Sequence, residues 1–90
     1  MGGNDVVEVA GYRVALHARE GPIGTGWVAT MGAVVPAEGA AESPLTLYDI
    51  AAWRLVLRGY GASRVEAQAD LAAELAKEAD RMLARCCADR

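Results

Sequence analysis

Ninety residues, 53% of them apolar and none a phenylalanine, make one domain spanning 1–90 with a modest core, since a chain of this size buries roughly 60% of its unfolded surface. Nine basic against twelve acidic residues leave a net charge of −3, which excludes a nucleic-acid binder relying on overall basicity. No apolar run approaches the ~20 residues that span a bilayer, and Met1-Gly2-Gly3-Asn4-Asp5-Val6 lacks the basic-then-apolar pattern of a secretory leader, so a cytoplasmic chain with no membrane attachment is expected.

In chain order, Val6 to Val9 is β-branched and reads as strand, either turned at Ala10-Gly11 or continued through a bulge at Gly11; continuation is the preferred reading. Tyr12 to Arg19 alternates cleanly. Tyr12, Val14, Leu16 and Ala18 point one way, and Arg13, Ala15, His17 and Arg19 the other, as in a half-buried strand. Residues 20–26, Glu-Gly-Pro-Ile-Gly-Thr-Gly, form a hairpin loop by composition, and Trp27 to Val35 is its partner strand, closed by Pro36. The loop lacks the lysine and Ser/Thr of a phosphate-binding loop and opens no helix.

Ala37 to Ser43 is small and polar, a surface connection. The next stretch is ambiguous, because Ser43-Pro44 and Gly59 are good helix start and stop signals. Wound as a helix, however, Leu45, Tyr48, Ile50, Trp53, Leu55, Val56 and Leu57 scatter around the whole circumference. As a strand, Trp53, Leu55 and Leu57 share one face and Arg54, Val56 and Arg58 the other, so Ile50–Arg58 is read as the third strand.

Ser63 with Glu66 three residues on is a capping box, and it starts a helix running from Arg64 to about Cys86. Val65, Ala69, Leu71, Ala72, Leu75, Ala76, Ala79, Met82 and Leu83 fall in one arc about 160° wide, broader than the ~100° stripe that seats a helix on a sheet. The alanine edge of that arc is expected to touch a second subunit. Gln68 lies inside the arc and, once buried, must bond to a strand backbone or a partner. Cys86 and Cys87 are adjacent, outside ordinary disulfide geometry and zinc-ligand spacing, and read as reduced thiols.

The order β-β-β-α predicts an α+β fold: a three-stranded antiparallel sheet, with or without a short extra N-terminal strand, and one long C-terminal helix packed on one face. Gly61-x-Ser63-x-x-Glu66-Ala67 with Leu71 beyond it resembles the helix-start signature of HicB-like antitoxin domains, and Gly26-Trp27-Val28-Ala29 resembles a strand of that group. The order with Gly59-x-Gly61-x-Ser63 is also similar to the C-terminal part of double-stranded-RNA-binding domains. Here a long connection and an extra strand stand between Pro36 and Ser63, no DNA-binding segment follows, and Arg64, Val65 and Gln68 replace the lysines that grip RNA phosphates. The resemblance implies an association domain rather than an enzyme.

Catalysis needs convergent groups, and one histidine, two terminal cysteines and outward-facing helix carboxylates supply none. No catalytic residue, cofactor or metal is expected. The candidate contact residues for a partner are Arg13, His17 and Arg19 on one strand, Arg54 and Arg58 on another, and Trp27 beside them, which together would make the open sheet face cationic. A solvated face that keeps the sheet soluble is the simpler account of the same arginines. The expected partners are a second copy and another protein, met through the sheet edge or the arginine face, with RNA as the second reading.

Overall fold

The computed structural model describes residues 6–38 and 42–88, the side chains of 86–88 excepted. Four antiparallel strands, β1 (Val6–Val9), β2 (Tyr12–Glu20), β3 (Trp27–Pro36) and β4 (Gly59–Gly61), lie in the order β1-β2-β3-β4. A short helix α1 (Leu47–Ala52), continued by a 3-10 turn at Trp53–Leu55, separates β3 from β4, and the long helix α2 (Arg64–Ala88) follows. The fold is α+β, with α2 packed against the sheet.

β1 and β2 are separate strands, and the preferred continuation through a bulge at Gly11 is corrected. Val9 pairs with Tyr12 across a two-residue turn in which Ala10 (φ 51°) and Gly11 (φ 88°) are both left-handed. Such turns match the twist of a hairpin but usually carry Asn or Asp at the first position. Alanine there disguised the turn. The bulge lies elsewhere: Val14 faces Val34 and Leu16 faces Met31, so Gly32 and Ala33 together oppose Ala15.

The alternation of β2 holds, with Tyr12, Val14 and Leu16 buried and Arg13, His17 and Arg19 exposed. Ala29 and Met31 join them from β3, and Leu45, Ile50 and Trp53 close the core beside them. The Tyr12 hydroxyl donates to the Leu45 carbonyl at 2.9 Å, which ties the connection to the sheet without leaving a buried phenol unsatisfied.

Ile50–Arg58 is not a strand. Thr46 caps α1 with a full box: the Asp49 N–H donates to Thr46 Oγ1 at 3.2 Å, and the Thr46 N–H donates to Asp49 Oδ2 at 2.7 Å. Ile50 and Trp53, three apart, bury one narrow stripe, while Tyr48, Leu55 and Val56 remain exposed. The scatter of apolar residues was therefore compatible with a helix whose other faces are wet.

The third strand of the prediction is replaced by β4, a Gly-Tyr-Gly segment. A Cβ on Gly59 would meet the Ala67 carbonyl oxygen and lie 2.5 Å from the Leu71 nitrogen, and one on Gly61 would lie 2.6 Å from the Ala67 nitrogen. Only glycine lets a strand approach the helix backbone this closely. Ala67, Gln68, Leu71, Leu75 and Ala79 of α2 are buried, whereas Val65, Ala69 and Ala76 are exposed, so the seated stripe is narrower than the apolar arc.

Ser63 starts α2 as expected: the Glu66 N–H donates to Ser63 Oγ at 3.2 Å. The return bond differs from the expected box, because the Glu66 carboxylate accepts from the Ala62 N–H at 3.1 Å rather than from Ser63. Ser63→Ala should cost about 1 kcal/mol, read as a lowered thermal midpoint. An unchanged midpoint would show that the Ser63 cap contributes nothing to stability.

Candidate interaction surface

The register fixes which side chains share the outer face of the sheet. Arg19, Val28 and Tyr60 line up across β2, β3 and β4; His17 faces Thr30; Glu8 faces Arg13, which faces Val35. Arg13, His17 and Arg19 thus share this face. Arg54 and Arg58 leave it, because Arg54 lies on the 3-10 turn and Arg58 between that turn and β4. Trp27 is half-buried and packs against the core, on the opposite side from Val28.

Most of these cations are already engaged. Arg13 Nε lies 3.7 Å from Glu8 Oε2, an exposed pair worth little in water. The Arg54 guanidinium donates to the Gly32 carbonyl at 2.8 Å, at the bulge. The Arg58 guanidinium donates to the carbonyls of Arg54 at 3.2 Å and Leu57 at 3.4 Å. Arg19 forms no ion pair with any described residue. His17 sits across the bulge, its imidazole so close to Gly32 that a Cβ there would collide with it. Among the described residues no three His, Cys, Asp or Glu side chains converge on a metal-sized site, and no helix is long and apolar enough to cross a membrane. The thiols of Cys86 and Cys87 lie outside the described residues.

The two edges of the sheet differ. At β4, Gly59 and Gly61 flank Tyr60, whose N–H turns away from β3 and donates to Asp70 Oδ2 of α2 at 2.9 Å. That edge is guarded by the helix. At β1 no described residue pairs with the outward backbone groups. On β2, Gln68 Nε2 donates to the Leu16 carbonyl at 3.2 Å. The side chain thus bonds to a strand backbone, which is the burial the sequence required of Gln68. A groove of about 350 Å³ runs between β1 and α2, lined by Val7, Val9, Ala72, Ala76, Ala79 and Leu83 with Glu8 and Asp80.

Sequence reasoning missed Tyr60 and Asp70, and it expected a partner at a sheet edge without naming β1 as the strand that forms it. Only the spacing of ten residues between Tyr60 and Asp70 hinted at the second, and such a spacing has no meaning until the Gly-Tyr-Gly strand is known. No family model matches the chain, and neither a curated protein nor a solved structure matches it at a significant level.

Gln68→Leu should destabilise the protein by about 1–3 kcal/mol, because the buried Leu16 carbonyl loses its donor while volume is kept. Denaturant unfolding checks this, and a change within error would show that the Gln68 bond is dispensable.

Proposed function

We propose that this protein is a small non-catalytic interaction module that works in the cytoplasm, self-associates and binds another protein. The observation that carries the proposal is the amount of large apolar surface left outside the core: Tyr48, Leu55, Val56, Tyr60 and Val65 are each more than half exposed. Ordinary solubility does not require such side chains, and folding does not use them. The Gly61-Ser63-Glu66 junction and the helix behind the sheet support a domain of HicB-like or double-stranded-RNA-binding-domain-like kind, with α1 as an insertion between β3 and β4. Light scattering at micromolar concentration should return the mass of two subunits. A single-subunit mass persisting into the sub-millimolar range would remove self-association.

A second reading, RNA association, is favoured by one observation: Arg19 and Tyr60 flank Val28 in a single cross-strand row, a cation and an aromatic ring on one open face. With Arg54 and Arg58 turned to backbone carbonyls, few phosphate contacts remain. Binding to a short RNA should therefore be about millimolar or undetectable near 150 mM salt. Sub-micromolar affinity that falls steeply with salt and disappears in the Arg13→Ala, Arg19→Ala protein would put RNA first.

A further inference from the structure

Building on the association reading above, we infer that the outer edge of β1 and the groove beside it receive a second copy of this chain, with the two β1 strands antiparallel about a two-fold axis at Val7. Hairpin geometry identifies the groups concerned. Val9 and Tyr12 flank the two-residue turn as a hydrogen-bonded pair, so Val7 and Val14 form the next one, and the N–H and C=O of Val6 and Glu8 point away from β2. Edge strands are commonly protected by proline, lysine or a covering side chain. The β4 edge has Asp70, while β1 contains neither proline nor lysine and its outward backbone groups are paired by no described residue.

Charge selects the register. Pairing Glu8 with Glu8 of the second copy would set two carboxylates directly opposite each other, which is destabilising. Pairing Val6 with Glu8 of the other copy uses every outward group of both strands. It also places the two Val7 side chains, which face the helix layer, side by side over the groove.

The same axis makes the two α2 helices antiparallel. With Asp70 committed to the Tyr60 N–H, residues 64–75 set one cation, Arg64, against Glu66 and Glu74; in 76–88 three cations, Lys77, Arg81 and Arg85, stand against Glu78 and Asp80. An antiparallel neighbour therefore sets an acidic half beside a basic one, whereas a parallel neighbour would oppose like halves. The exposed Ala69 and Ala76 allow the backbones to come close. A two-fold arrangement is self-complementary and closes on itself, so the assembly stops at two copies.

The decisive variant is Glu8→Pro. Glu8 faces Arg13 in a non-hydrogen-bonded pair, so its N–H belongs to the outer edge and proline leaves the β1–β2 ladder intact. Sedimentation equilibrium on the full chain should show the dimer weakened about 30-fold or more, as two hydrogen bonds are lost per assembly. Glu8→Ala, which keeps the N–H, should dimerise as the parent does. Ala76→Arg, on the exposed side of α2, should be monomeric, and this arm stands even where circular dichroism shows the proline variant unfolded. Dimers undisturbed by both Glu8→Pro and Ala76→Arg would overturn this face while leaving self-association standing. A parent chain that is monomeric at sub-millimolar concentration would overturn both.

Discussion

Two glycine hydrogens separate β4 from α2, and the arrangement of the rest follows from that distance. With side chains at Gly59 and Gly61 the helix would have to lift away from the strand, and Ala67, Leu71 and Leu75 would lose their seat over the sheet. The contact also sets the reach of two polar side chains. Asp70 arrives at the Tyr60 N–H on one side, and two residues earlier Gln68 arrives at the Leu16 carbonyl across the sheet. A helix held by backbone contact at its start and by alanines and leucines along its length has little freedom to rotate. Its wet flank is therefore as well defined as its buried one.

What was legible in the sequence is what local physics decides. The alternation of β2, the glycine-rich hairpin and the Ser63 cap were readable because each is encoded within a few residues. The segment from Leu45 to Gly61 was not, for two reasons. Its helix is a short one started by Thr46 and Asp49, and the apolar side chains at 48, 55 and 56 do not enter the core, so periodicity analysis, which equates apolar with buried, was misled. Its strand has no strand-forming residues except Tyr60, because the feature that makes it a strand is proximity to α2, a partner that begins after it.

Of the candidate surface, the β2 arginines were found and those at 54 and 58 were misplaced along with their element. The underlying difficulty is that exposed arginine on a strand and exposed arginine on a helical turn look the same in one dimension, whereas their reach differs. From the 3-10 turn and the residues just after it, Arg54 and Arg58 satisfy backbone carbonyls and act as local scaffolding. A sheet edge was expected as a binding surface, but which strand forms it was not legible, because that is a property of the strand order and no residue type announces it.

The bulge opposite Ala15 has a consequence for how this chain could change in length. Met31 and Val34 both face the core although three positions, not two, separate them, and the surplus residue is absorbed between them. Loss of Ala33 alone would leave Leu16 opposite Met31 and Val14 opposite Val34, so the hairpin has one joint at which a codon can be removed without turning its faces inside out; elsewhere in β3 the same deletion would invert them. The joint is coupled to a distant side chain. In the shortened strand Ala15 would confront Gly32 alone, and the ladder would share the carbonyl that Arg54 now holds. The bulge and Arg54 thus meet at one carbonyl, across a gap of twenty-two residues between Arg54 and its acceptor.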